Sequence, residues 1–274
     1  MGSSYAVTLT VPDHLWATTV GQESVTGRAD TRRALRRRGR AAWRTAASLG
    51  ACRTDRFIMV VAVGCSHGSP MLAAETLKPL VDAGTDQGLW PDDDPWHRAC
   101  TLYMPDPRPD PVGATRVSMA VIPLEPAEDP VSRLLGCVPG AKGRPVRLDG
   151  IGDHDWLTSN MRLDPKERSA RQGRLMTACA ASWRSHGSVG ADAAGICWVR
   201  YPDSRREYKG DPDNAAESAT AMWGEGVALG LAPAVPTGFA FLLADGESAP
   251  GTHDLDLLAL TTPPGFNWLK ALTA

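Results

Sequence analysis

The chain has no apolar run approaching the roughly 20 residues that span a bilayer. Its first residues, Met1-Gly-Ser-Ser, lack the charged-then-apolar pattern of a secretory signal. Nor does it contain a Cys-x-x-Cys pair. Its six cysteines, at 52, 65, 100, 137, 179 and 197, are scattered, which argues against a zinc site or a disulfide frame and fits reduced thiols in a cytoplasmic protein. The six histidines show no metal-ligand spacing; His14 and His154 recur at matched places, which suits capping or packing. Aromatic residues make up only 6% of the chain, although nine residues are Trp. A strong charge of one sign is also missing: 29 Lys and Arg against 31 Asp and Glu leave −2, a total that by itself argues against nucleic acid as a partner. What remains is a globular composition, 274 residues and 43% hydrophobic, with room for one large domain or two small ones.

The distribution of charge says more than its sum. Between Arg28 and Arg56 stand ten arginines and two acids, Asp30 and Asp55; between Arg162 and Lys209 stand ten Lys and Arg and five acids. A basic patch binds phosphate whatever the total, because salt screens charges beyond about 8–10 Å. Asp30 to Leu49 reads as a helix with Ala34, Leu35, Ala41, Ala42, Trp43 and Ala46 on its apolar side and arginines over much of the rest. That arginine row is either a solvated face or a contact to a DNA backbone.

Tyr5 to Val11 alternates like a strand, and Phe57 to Val63 is a continuous apolar run of buried-strand length. A short helix follows from Lys78, with Pro79 suited to its first turn. Ala99 to Met104 and Arg116 to Ile122 read as two strands joined by a Pro/Asp-rich loop. Residues 125–144, rich in Pro, Gly and charge, read as a linker between a unit at 1–124 and a second at 145–274. The pattern then restarts: a weak strand at Arg147-Leu148, a basic helix capped by Asp164-Pro165, strand residues Ile196 to Val199, a helix from Asp213 or Asn214, and strands at Phe239 to Leu243 and Leu255 to Leu260.

The repeat is visible in single residues. His14-x-Trp16-x-Thr18 and Trp43-Arg44 recur 140 positions later as His154-x-Trp156-x-Thr158 and Trp183-Arg184. Gly88-Leu89-Trp90-Pro91 recurs 142 positions later as Gly230-Leu231-Ala232-Pro233. Each unit therefore reads β-α-β-α-β-β, and two such copies in one chain suggest a fused dimer.

Two acidic stretches could carry chemistry. Asp92-Asp93-Asp94 lies between prolines; three adjacent carboxylates sit in water or around a hard cation such as Mg²⁺. Asp211-Pro212-Asp213-Asn214 opens a helix beside Arg205, Arg206 and Lys209; its acids could share a divalent ion, or the tetrapeptide is an N-cap and turn. Lys78 and Asp82, four apart, form a surface pair, or Lys78 contacts phosphate.

With these residues in view, the chain resembles the RusA family of Holliday-junction resolvases, Mg²⁺-dependent endonucleases that act as homodimers. The family pattern is an Asp-x-Asp-Asn box after a strand, a helix bearing Lys and Asp, and Gly-x-x-x-Asp-Asp before the closing hairpin. Lys78, Asp82 and Gly88 to Asp94 are similar to its second part, Asp211 to Asn214 to its first, and Trp156-Leu-Thr-Ser-Asn160 with Arg162 to its N-terminal signature. The departures are complementary. The first copy has Ser69, Met71 and Leu72 where the box should be; the second has Thr220 for the Lys, Gly224 for the helix Asp and Ala234-Val235 for the acidic loop.

The resemblance implies an α+β protein of two tandem RusA-like β-α-β-α-β-β units, packed as an intramolecular pseudo-dimer in a functional monomer. It implies one composite site: Asp211, Asp213 and Asp93 with Lys78 as catalytic groups, Asp211, Asp213, Asp92, Asp93 and Asp94 as ligands of Mg²⁺ (or Mn²⁺), and branched or junction DNA as substrate. Arg32, Arg36, Arg40, Arg44, Arg205, Arg206 and Lys209 would bind the DNA. The competing expectation is a degenerate RusA-like fold that binds DNA without cutting it; a purely protein-binding role suits the basic helices less well.

Overall fold

A computed structural model describes residues 3–17, 25–64, 68–138, 140, 144–158, 161, 163–202 and 210–274. The chain is a mixed α+β protein, with six α-helices and eight strands among these residues. It divides into two compact units, Met1–Cys137 with Trp268–Ala274, and Val138–Asn267.

The first unit runs β1 (Tyr5–Pro12), α1 (Val25–Ser48), β2 (Phe57–Val63), α2 (Ala74–Asp86), β3 (Arg98–Pro105) and β4 (Ala114–Pro123). Its strand order is β1-β4-β2-β3, with β4 antiparallel to β1 and β2, and β2 parallel to β3. The second unit runs β5 (Val146–Gly152), α4 (Pro165–His186), β6 (Ala193–Arg200), α5 (Ala216–Ala228), β7 (Gly238–Leu243) and β8 (Thr252–Thr261), with the same order and directions, β5-β8-β6-β7. In each unit both helical crossovers advance the same way across the sheet. Because such connections are right-handed, both helices lie on one face.

Hydrophobic burial sets this arrangement. All seven residues of β2 are buried, as the unbroken apolar run requires of a strand covered on both faces. On α1, Leu35, Trp43 and Ala46 are buried while Arg33, Arg37 and Arg38 are exposed. The Trp43 indole N–H donates to the Leu80 carbonyl at 2.9 Å, and its ring meets Trp90 edge-on at 5.1 Å. The second unit repeats the bond, from Trp183 to the Met222 carbonyl at 2.7 Å.

Other details also recur. The buried hydroxyl of Thr76 accepts from the Ala17 amide and donates to its carbonyl; Ser218 does the same with Leu157. Glu75 and Glu217, each the second residue of its helix, are both buried. Both helices end in one motif. Gly88 and Gly230 take φ near +70°, and the following Leu89 and Leu231 amides bond back to Gly84 and Gly226. A residue with a Cβ resists that backbone, so glycine stands there twice.

Several boundaries differ from the sequence reading. The α2 helix starts at Ala74, so Pro79 lies in its interior, where it leaves the Glu75 carbonyl without its i+4 donor. The short 3₁₀ turn Pro70–Ala73 nucleates the helix earlier than Pro79 suggested. Residues 125–137 are part of the first unit and include α3 (Pro130–Gly136). Asp129 caps this helix by accepting from the Val131 and Ser132 amides, and Leu134 buries its apolar side. The C-terminal helix α6 (Trp268–Thr273) also belongs to the first unit, where the Arg133 guanidinium donates to the Leu272 carbonyl. No helix among the described residues is long and apolar enough to cross a membrane.

A Cβ placed on Gly84 would stand 1.9 Å from Cζ2 of Trp90, which is fully buried. At Gly173, on the exposed side of α4, nothing lies within 4 Å. Gly84→Ala should therefore lower unfolding stability by about 1–3 kcal/mol through overpacking, while Gly173→Ala should raise it by about 0.4–1 kcal/mol. Paired denaturant titrations measure both.

Candidate nucleic-acid interface

The arginines at 32, 36, 40 and 44 lie four apart on α1 and line the side that meets α2. Arg32 reaches the buried Glu75 carboxylate with Nε at 3.1 Å and a terminal nitrogen at 2.5 Å. Arg36 grips Asp86 with two bonds of 2.7 Å and approaches Asp82 at 3.4 Å. Arg40 also donates to Asp86, at 2.7 Å, and Arg44 donates to Gln87 at 3.4 Å. The Arg36 bonds, supported by Arg40 against the cost of burial, hold Asp86 far below the usual carboxylate range. The same contacts raise Arg36. The row expected to face DNA thus first clamps two helices together.

The clamp does not neutralise this face. Helices α1 and α2 together carry eight arginines and Lys78 against Asp30, Glu75, Asp82 and Asp86. Arg37 and Arg38 are exposed, and Arg33 pairs with the exposed Asp30. Between the helices lies a pocket of about 270 Å³ lined by Arg32, Arg33, Arg36, Lys78, Pro79 and Asp82. Sequence reasoning singled out Arg32, Arg36 and Lys78 separately; the fold brings them to one cleft. Arg33, part of the same arginine row but not singled out for binding, joins them there.

The acidic turn is held by bonds to its own neighbours. Asp94 Oδ1 accepts from the Trp96 and His97 amides and contacts the His97 ring nitrogen, each at 2.9 Å. Burial works against its ionised form, but these bonds prevail and keep Asp94 below its ordinary value. Asp92 accepts from the Asp93 amide at 2.8 Å, and the Asp93 carbonyl accepts from the buried Arg98 guanidinium at 3.2 Å. Asp94 thus caps a tight turn.

In the second unit, Asp211 precedes the 3₁₀ turn Pro212–Ala215, and its carbonyl accepts from the Tyr201 hydroxyl at 3.0 Å. Asp213 is buried, and Asn214 closes the turn through its amide. Burial, aided by the nearby Asp213 and Asp211 charges, raises the Tyr201 phenol well above its usual range. The matched positions of the first unit hold Ser69, buried Met71 and Leu72. Within neither unit do three or more His, Cys, Asp or Glu side chains converge to hold a metal ion among the described residues. Arg205, Arg206 and Lys209, expected to bind DNA, lie outside the described residues, as do Asn160 and Arg162.

The depressed Asp86 acidity fixes a pH signature. Its stabilising contribution is present above the unfolded carboxylate value near 4 and is lost as pH falls toward the lower folded value. Asp86→Asn should cost about 1–2 kcal/mol at neutral pH, since Arg36 and Arg40 lose a charged acceptor. The gap from wild type should narrow steadily below about pH 4, as measured by urea unfolding across an acid series. Compared with known proteins, the chain matches no protein-family model and no curated sequence.

Proposed function

We propose that this protein is a DNA-binding module of RusA-like build, which grips a phosphodiester backbone in the basic cleft of α1 and α2 without cutting it. The observation that carries this reading is the cleft of about 270 Å³ that gathers Arg32, Arg33, Arg36 and Lys78, with Asp82 also in its lining. Glu75, Asp82 and Asp86 orient the guanidinium groups, and a preorganised donor binds phosphate with less ordering cost than a free one. The surplus of cations on the two helices, with Arg37 and Arg38 exposed beyond the clamp, supplies the field that draws a polyanion in. Branched DNA is the target class, on the RusA resemblance of Lys78, Asp82 and Gly88 to Asp94.

The catalytic alternative keeps one supporting observation. Asp211 and Asp213 both act on the Tyr201 phenol, so two box carboxylates share one neighbourhood. On that reading they join Asp93 and Lys78 in Mg²⁺- or Mn²⁺-dependent nicking. The binding reading comes first because it rests on the basic cleft of α1 and α2.

Affinity for a four-way junction and for linear duplex, measured by fluorescence anisotropy across a salt series, tests the binding reading. Wild type should lose affinity steeply, with a slope of about −0.9 per phosphate neutralised. Lys78→Ala and Arg33→Ala should each weaken binding and flatten the slope by about one such increment. Incubation with Mg²⁺ or Mn²⁺ should leave both DNAs intact. Absence of binding at low salt overturns the DNA reading, and metal-dependent nicking abolished by Asp213→Asn replaces it with the endonuclease.

A further inference from the structure

Of the nine tryptophans, Trp96 alone is exposed; seven are buried and Trp198 is half-buried. Trp96 is 69% exposed, yet its backbone is tied into a turn. Its own amide and that of His97 donate to Asp94 Oδ1, and the His97 ring braces the same oxygen. Asp94, one of the three carboxylates of the acidic turn, thus holds the backbone that carries this outward-facing indole.

That indole borders a pocket of about 450 Å³ in the first unit, at the end of the sheet where β2 and β3 begin and β4 finishes. Its main-chain frame is closed by bonds from the Phe57 amide to the His97 carbonyl and from the Leu124 amide to the Arg56 carbonyl, both 2.8 Å. Leu124 is buried and gives the pocket an apolar wall. Arg56 donates to the main-chain carbonyls of Glu125 and Glu128. Arg53, 65% exposed and 3.5 Å from the Asp55 carboxylate, brings donors to the rim, and Asp55 and Glu125 bring acceptors.

Donors and acceptors are mixed here, unlike the cation-dominated cleft of α1 and α2. A phosphate wants donors alone; a nucleobase presents donors, acceptors and two flat apolar faces. The volume exceeds that of a base and suits a planar group slid against an indole. We infer that this pocket receives an unpaired nucleobase of the bound DNA, stacked on Trp96 with its edge met by Arg53 and Glu125. The inference rests on the DNA-binding reading and deepens it: the preferred substrate is DNA with bases out of the stack, as at a gap or a branch point.

The test compares labelled linear duplex with the same duplex carrying a short single-stranded gap, for wild type, Trp96→Ala and Trp96→Phe. Circular dichroism confirms that each variant is folded. Wild type should prefer the gapped DNA. Stacking of one base on an aromatic ring corresponds to roughly 5–150-fold in affinity, so Trp96→Ala should remove a preference of that order. It should leave linear-duplex binding unchanged, and Trp96→Phe should retain most of the preference. Equal effects of Trp96→Ala on both DNAs, or no effect on either, overturn the inference. So does wild type that binds duplex with the expected salt slope but shows no preference for the gap, a result that leaves the DNA-binding reading standing. Displacement of gapped DNA by a micromolar deoxynucleoside monophosphate would give the pocket to a free nucleotide and also overturn it. Wild type that binds neither DNA removes both readings together.

Discussion

Each unit turns on a carboxylate sunk at the start of its second helix. Glu75 and Glu217 are almost wholly buried, where an ionised acid is stable only with a charged partner and the positive end of a helix beside it. Each draws an arginine across from the preceding helix, Arg32 in the first unit and Arg168 in the second. Those bridges, with the indole bonds of Trp43 and Trp183, fix how far apart the two helices stand. In the first unit that separation is the width of the basic cleft. Stability and the candidate interface thus share the same contacts, and the arginines that would meet phosphate are aimed by acids within the fold.

The recurrence of one strand order was legible in the sequence because it is marked by residues with few substitutes. Glycine at 88 and 230 marks a helix exit that other residues resist, and Trp43 and Trp183 fill the same slot against a carbonyl. The continuous apolar run at Phe57 to Val63 could hardly be anything but a buried strand. Boundaries were harder. Pro79 looked like a helix start because proline favours the first turn, yet the turn at Pro70 and the buried contacts of Leu77 and Leu80 outweigh one missing backbone bond.

The candidate site was legible in its ingredients and not in its wiring. Arg32 and Glu75, or Arg36 and Asp86, are more than 40 residues apart, so the sequence shows a basic run and hides the acids that answer it. Asp92-Asp93-Asp94 has the same composition whether its oxygens face a cation or the chain's own amides. Only the fold shows Asp94 facing inward to Trp96 and His97. The exposure of Trp96 was beyond reach for a related reason: a tryptophan followed by histidine and arginine at the start of a strand gives no hint of which side faces water.

The buried acids also differ in which arm they hold. Glu75 takes Arg32, but Glu217 takes Arg168, whose counterpart in the first unit is Arg28, one helical turn earlier; at the counterpart of Arg32 the second unit has Gln172. The acid is the fixed post and the cation can be moored from either turn. A helix pair anchored this way can gain a second arginine before losing the first, so its charged lock can migrate along the helix without the fold ever passing through an unlocked intermediate.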